Sequence, residues 1–172
     1  GIYFPMDPIV DEKPDDRATV AEKLAGTWTG ANKVWVVGPD GQPLQEDVIN
    51  LTQFTADGRM LIGAAGEIVR RVCLLVNGTF SLMGTHTAMF GNWKATSANS
   101  FEGYATWLYH RPEEYASPGN PGNMTFAGTF YVVGEFTGTD TLTMKTKLNF
   151  AECEGNAYGE LSDGIQRADD VE

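Results

Sequence analysis

Histidine, cysteine and basic side chains are scarce in this chain, and each shortage excludes a class of function. Two histidines and two cysteines occur among 172 residues, and no spacing of the kind that binds zinc joins them. We therefore expect neither a metal site nor a cofactor. Lys and Arg total 12 against 23 Asp and Glu, and the resulting formal charge of -11 repels phosphate backbones and anionic lipid headgroups. The composition therefore predicts that nucleic acid is not a partner.

Several familiar sequence signatures are also missing. The chain has no Gly-x-Ser-x-Gly elbow, phosphate-binding loop or dinucleotide fingerprint, which disfavours serine hydrolase chemistry and the use of ATP. No uninterrupted apolar run approaches the ~18 residues of a membrane helix, so we expect a soluble protein without membrane insertion. Residues 1–10 lack the basic start and apolar centre of a signal peptide, which favours the cytoplasm over secretion. Cys73 and Cys153 are compatible with one disulfide or with two free thiols, and the sequence leaves a homodimer open.

The composition along the chain predicts three segments. An extended acidic leader covers residues 1–18, a single domain covers 19–168, and an acidic tail covers 169–172. Within the domain, turn sequences rich in Gly, Asp and Asn separate segments rich in Val, Thr and aromatic residues, as is typical of consecutive antiparallel hairpins. The long loop over residues 111–124, rich in Pro and Gly, is placed at a rim, where such loops often act as lids.

A short helix and a meander of strands follow from the same pattern. Thr19 and Glu22 stand at the cap and capping-box positions of a helix over residues 19–25. Eight to ten strands without an intervening helix predict an all-β fold, an antiparallel up-and-down barrel of the size that holds one small ligand. The predicted strands are 27–37, 44–55, 59–64, 67–76, 80–90, 92–98, 101–110, 124–136, 141–150 and 159–167.

A Gly-x-Trp motif opens the first of these strands. Gly26-x-Trp28 resembles the lipocalin motif, in which the tryptophan closes the floor of the barrel and an arginine from the last strand packs over it. Arg167 is the matching arginine. The resemblance implies a lipocalin-like (calycin) β-barrel with a central cavity for a hydrophobic small molecule.

Four matches, the first of which contains this motif, occur in the order found in bacterial and fungal lipocalin-like domains. The middle of the chain, from about residue 77 to 125, has no counterpart among them. Such families include ligand carriers and enzymes of specialised metabolism, so the resemblance implies a container without choosing between these two functions. The matching segments are Leu24-Ala25-Gly26-Thr27-Trp28, Gly38-Pro39-Asp40-Gly41, Phe54-Thr55-Ala56-Asp57-Gly58-Arg59-Met60 and Phe126-Ala127-Gly128-Thr129-Phe130-Tyr131-Val132.

Side-chain alternation within residues 80–90 places one histidine among apolar residues. The even positions are apolar or small apart from His86, so an inward apolar face would put an imidazole in the cavity, where desolvation favours its neutral form. Such a group accepts or relays a proton. The alternative is a core histidine bonded to a backbone carbonyl or a neighbouring hydroxyl.

Alternation within residues 101–110 separates two different faces. The odd positions, with Trp107 and Tyr109, are the natural lining for an apolar ligand, which leaves Glu102, Tyr104 and His110 in solvent. In the reversed register these three side chains form an acid, phenol and base set in the cavity, because a one-residue slip exchanges the two faces. Arg70 shares parity with apolar neighbours, so it is either an interior cation or an arginine that reaches solvent from a strand end.

The sequence therefore supports two main hypotheses. In the first, the barrel binds a hydrophobic or aromatic small molecule in its cavity. In the second, the same cavity serves a cofactor-independent lyase, isomerase or cyclase that works by acid and base chemistry. A third hypothesis, a structural or regulatory module that acts through its acidic surface, rests on the charged ends alone. The predicted catalytic residues are His86, Tyr104, Tyr109 and Arg70, and the predicted ligand-binding residues are Phe80, Leu82, Phe90, Trp107, Phe130 and Met144.

Overall fold

Antiparallel strands dominate the computed structural model, which describes residues 11–37, 43–65, 70–74, 77–152 and 157–168. A short 3-10 helix at Glu113–Tyr115 interrupts the loop before the ninth strand. In chain order the other elements are α1 (Pro14–Leu24), β1 (Gly26–Val37), β2 (Pro43–Phe54), β3 (Arg59–Ala65), β4 (Arg70–Leu74), β5 (Phe80–Met83), β6 (Thr85–His86), β7 (Met89–Ser97), β8 (Ser100–Arg111), β9 (Met124–Phe136), β10 (Thr141–Phe150) and β11 (Ala157–Arg167).

Eight of the described strands close into an antiparallel up-and-down barrel. Their order around the wall is β1, β2, β3, β7, β8, β9, β10 and β11, and β11 pairs with β1 to complete the circle. Closure gives each of these strands two neighbours, so the wall has no open edge. The predicted all-β barrel is therefore confirmed, with β6 as an extra short strand beside β8 and with β4 and β5 as a separate hairpin.

The helix α1 covers one end of the barrel. Val20 and Leu24 are fully buried, and they join an apolar core that includes Trp28 and Phe101 at the neighbouring strand ends. The helix begins at Pro14, so the predicted cap at Thr19 is wrong: Lys13 is the N-terminal cap residue, and Asp15 and Asp16 occupy the first turn. Proline suits the first helical turn because its missing N–H has no partner there, and acidic residues suit it because they oppose the helix dipole. The covered end is the closed end of the barrel.

Trp28 and Arg167 meet at this closed end, as the Gly-x-Trp motif predicts. The two residues are cross-strand partners, and the Arg167 guanidinium carbon lies 4.5 Å from the centre of the Trp28 ring. Arg167 also donates hydrogen bonds to the carbonyl oxygens of Lys23 and Ala25, and the Trp28 indole donates to the carbonyl of Leu24 at 2.8 Å. These bonds satisfy carbonyls at the end of α1 and fasten the helix to the barrel.

A one-residue bulge separates β6 from β7. His86 pairs with Tyr109, and Phe90 pairs with Thr106. The chain therefore advances four residues from His86 to Phe90 while β8 advances only three. Because of this extra residue, His86 and Phe90 lie on opposite faces of the sheet, although an unbroken strand would put them on the same face. Thr87 stabilises the bulge, because its hydroxyl accepts the N–H of Leu108 at 3.0 Å and its own N–H donates to the Leu108 carbonyl at 2.8 Å.

The hairpin of β4 and β5 spans the other end of the barrel. Cα atoms of β4 lie within 8 Å of β1, and those of β5 lie within 8 Å of β8. In the closed wall three strands separate β1 from β8 in either direction, so a hairpin that approaches both must cross the opening. Among the described residues no helix is long and apolar enough to cross a membrane. Cys153 and the acidic residues 1–10 and 169–172 lie outside the described residues, and so does the side chain of Cys73.

Candidate functional site at the open end of the barrel

Four aromatic side chains line the barrel wall near its open end. Trp107 and Tyr109 alternate on the inner face of β8, as predicted, and both are buried. The Tyr109 ring stacks on Phe126 at 5.4 Å between centroids, and Phe150 meets the edges of Trp107 at 5.2 Å and Tyr109 at 5.5 Å. Three adjacent strands, β8, β9 and β10, therefore present one continuous aromatic surface near the opening.

Gly128 leaves room for the Trp107 indole. The two residues pair across β8 and β9, and a Cβ at position 128 would lie 2.4 Å from both Nε1 and Cε2 of Trp107. The indole is 4% exposed, and its Nε1 has no hydrogen-bond partner among the residues that the structure describes. A buried N–H without an acceptor costs about 1–3 kcal/mol. The indole N–H is therefore a buried donor whose acceptor is not among the described residues.

A buried ion pair lies beside the aromatic surface. Arg111 is the last residue of β8 and Glu152 follows β10 by two residues; their side chains are 2% and 10% exposed and form a direct salt bridge. The Arg111 guanidinium also donates to the carbonyl of Pro121 at 3.1 Å and stacks over Phe126, with its carbon 5.2 Å from the ring centre. Arg111 is therefore a buried cation at the opening that is held from several sides.

Tyr109 connects the aromatic surface to the ion pair. Its hydroxyl donates to Oε1 of Glu152 at 3.3 Å. Burial of the phenol, together with the negative charge of Glu152, raises the pKa of Tyr109 above its usual value of 10. At neutral pH this side chain is therefore a hydrogen-bond donor and not a phenolate base.

His86 lies at the rim of the same opening. Directly paired residues share a face, so His86 is on the same side of the sheet as Tyr109, and its ring meets the edge of Trp107 at 5.7 Å between centroids. The predicted burial of the imidazole is wrong, because the side chain is exposed at the end of the barrel. Its Nδ1 lies 2.7 Å from the carbonyl oxygen of Thr87. His86 is therefore at the entrance and not deep in the cavity.

The loop between β8 and β9 is bonded to the turn of the β4–β5 hairpin. Asn77 in that turn donates to the carbonyl of Pro118 at 2.8 Å, and Asn120 in the loop donates to the hydroxyl of Thr79 at 2.7 Å. Because the hairpin crosses the opening, these bonds hold the two segments together over the site. This arrangement agrees with the predicted position of the loop at a rim.

The predicted ligand-binding residues fall into three groups. Phe130 and Met144 are buried on the inner wall with Trp107. Phe90 does not line the interior: it is 60% exposed on the outer wall, because the bulge after His86 reverses its face. There it lines a shallow groove of about 490 Å³ with Leu61. Phe80 and Leu82 lie in β5, and the predicted catalytic residue Arg70 lies in β4. The structure describes only the backbone of these two strands, which are not part of the barrel wall.

The alternative prediction for β8, in which the even-numbered side chains face the cavity, is wrong. Tyr104 and Glu102 lie on the outer face, opposite to Trp107 and Tyr109, because the buried residues of β8 are the odd-numbered ones. On that outer face Glu102 accepts a hydrogen bond from the Tyr131 hydroxyl at 2.8 Å. Partial burial and this bond raise the pKa of Tyr131 to about 12. Tyr104 therefore lies away from the cluster formed by Tyr109, Arg111 and Glu152.

The sequence interpretation missed Arg111 and Glu152, which only an extension of the strand alternation past the predicted strand ends would have found. In β8 the inward residues are odd-numbered and in β10 they are even-numbered, so continuing each alternation by one step reaches Arg111 and Glu152. Both residues lie at a boundary between strand and loop, where the pattern gives no sign that the face persists. In the described part of the chain, no group of three or more His, Cys, Asp and Glu is placed to hold a metal ion.

Comparison with known proteins adds no family assignment. No family model matches the chain, and no curated protein matches it significantly. The eight-stranded antiparallel barrel and the Trp28–Arg167 contact are consistent with a lipocalin-like fold.

Proposed function

We propose that this protein is a lipocalin-like barrel that binds an aromatic, largely apolar small molecule at its open end. The observation that supports this most directly is the indole N–H of Trp107, which is buried within an aromatic surface and has no acceptor among the described residues. Flat rings of Trp107, Tyr109 and Phe150 favour a planar ligand, because aromatic pairs gain from stacked and edge contacts. One acceptor atom on that ligand would satisfy the indole and fix the orientation of the ligand.

The first test removes the indole N–H and keeps an aromatic ring. In Trp107→Phe we expect the affinity for 2-acetonaphthone, which has a carbonyl acceptor, to fall about two- to tenfold, the value of one net hydrogen bond. Affinity for 2-ethylnaphthalene, which lacks the acceptor, should change much less. Isothermal titration calorimetry measures both constants.

Trp93→Phe is the matched control for this test. Trp93 is also buried, but it lies towards the closed end and donates to the carbonyl of Thr55 at 2.9 Å, so its replacement should leave both affinities unchanged. Equal effects of Trp107→Phe on the two probes would contradict the role of the indole N–H. Absence of binding by both probes to the wild type would contradict the proposed function.

The second candidate is a cofactor-independent lyase, isomerase or cyclase that uses the same opening. It is favoured by the direct pairing of His86 with Tyr109, which places an imidazole, a phenol and the Glu152 carboxylate around one aromatic surface. The imidazole would accept a proton from a carbon next to a carbonyl, and the protonated Tyr109 would donate to the developing enolate oxygen.

Hydrogen exchange distinguishes this candidate from simple binding. With 2-acetonaphthone in deuterated water, a proton-transfer catalyst should speed deuterium incorporation into the methyl group, as followed by NMR, and His86→Ala should abolish the increase. His110→Ala is the control, because His110 lies on the outer-facing side of β8 and bonds to Thr125. A wild-type rate equal to that of buffer would exclude this activity for an enolisable aryl ketone.

A further inference from the structure

Arg111 lies in a paired strand, whereas the carboxylate that it contacts lies in a turn. It belongs to β8, pairs with Met124 of β9, and is also held by the Pro121 carbonyl and the face of Phe126. Glu152 lies two residues beyond Phe150, the last residue of β10, in a turn. The backbone of a turn can shift without breaking a ladder of strand hydrogen bonds, whereas the backbone of a paired strand cannot. If either partner leaves the ion pair, it is Glu152.

Hydrogen-bond donors outnumber acceptors along this part of β8. Trp107, Tyr109 and Arg111 are successive residues of one face, and alternate residues of a strand are about 6.6–6.8 Å apart. The N–H of Trp107 has no acceptor among the described residues, while Tyr109 and Arg111 both donate to Glu152. A ligand that complements these three side chains has an acidic group at the end nearest Arg111 and a flat apolar body over Trp107 and Tyr109.

We infer that the ligand is an aromatic carboxylate whose acidic group replaces Glu152 on Arg111. This inference rests on the proposed function and specifies its ligand class. Replacement of one carboxylate by another keeps the buried guanidinium paired, so the exchange avoids the cost of an isolated buried charge. A neutral ligand cannot make this exchange. The chain's net charge of -11 opposes an anion only weakly, because salt screens the repulsion from surface charges that lie more than about 8–10 Å away.

The experiment compares 2-naphthoic acid with 2-naphthamide, which have the same ring system and differ in charge. At pH 7 the wild type should bind the acid at least tenfold more tightly than the amide. Glu152→Gln should strengthen binding of the acid a further five- to tenfold, because the internal competitor is gone, and should leave binding of the amide within twofold. Isothermal titration calorimetry gives the constants, and circular dichroism confirms that each variant is folded.

The double variant Arg111→Gln with Glu152→Gln keeps the site neutral and should abolish the preference for the acid. Arg59→Gln is the control for loss of a positive charge, because Arg59 is exposed beside Asp57 near the closed end. The preference should persist in this control. Equal affinities for acid and amide in the wild type, or a preference that survives in the double variant, would overturn the inference while the proposed function stands. Failure of both naphthalene probes to bind would overturn the proposed function as well.

Discussion

Replacing Trp28 with alanine should lower the free energy of unfolding by about 3–5 kcal/mol, the range for buried aromatic side chains truncated to alanine. The side chain is fully buried, and it connects the barrel floor to α1 through the Leu24 carbonyl. Its loss also removes the surface on which Arg167 stacks. Urea denaturation followed by circular dichroism should show a lower midpoint with an unchanged slope.

Phe90→Ala is the matched control, because it truncates an aromatic residue that is 60% exposed on the outer wall. Its effect should stay within about 0.5 kcal/mol, as is usual for surface positions. Similar losses in the two variants would show that Trp28 does not seal the floor as described. Arg167→Lys keeps the positive charge but removes the planar guanidinium that stacks on Trp28. In a double-mutant cycle with Trp28→Ala, the coupling energy should be about 0.5–2 kcal/mol, the range of cation–π contacts.

Separating Arg111 from Glu152 should also have a large effect on stability. Each single replacement by glutamine leaves an uncompensated charge in a site where the two side chains are 2% and 10% exposed, so we expect a loss of about 3–5 kcal/mol for Arg111→Gln. Replacing both residues should recover most of that loss, because two neutral amides carry no unpaired charge. The coupling energy from a double-mutant cycle in urea measures the recovery.

The exposed pair of Arg59 and Asp57 provides the comparison for this cycle. Its side chains are 77% and 68% exposed, so its coupling energy should fall in the low range of solvent-screened surface pairs, far below that of the buried pair. A coupling energy for Arg111 and Glu152 in that same range would mean that the ion pair at the open end is effectively solvated. The inference of a carboxylate ligand would then lose its energetic basis.

Local pattern was sufficient where a strand is regular and one of its faces is buried. The alternation of β8 correctly placed Trp107 and Tyr109 inside, and the Gly-x-Trp motif correctly paired Trp28 with Arg167. In such strands a shift by one residue would expose every apolar side chain, so the sequence allows only one register.

Side-chain alternation gave a wrong prediction where the backbone departs from a regular strand. The prediction of an inward Phe90 assumed one continuous strand from residue 80 to residue 90, but a break before β6 and the bulge at Thr87 divide it. A bulge adds one residue without a distinctive composition, and the hydrogen bonds that stabilise it come from β8, a distant part of the chain. The outward position of Phe90 could therefore not be obtained from its own segment.

The sequence by itself determined the architecture of this protein: an antiparallel barrel with a sealed floor and with aromatic residues inside, because period-two patterning and turn residues act over a few neighbouring positions. Only the tertiary structure decided which groups meet at the open end. The pairing of β8, β9 and β10 in the curved wall brings Arg111 and Glu152, 41 residues apart, into one ion pair and places Gly128 beneath the indole of Trp107. Those contacts depend on the stagger of strands around the wall, a property of the closed sheet that no single segment contains.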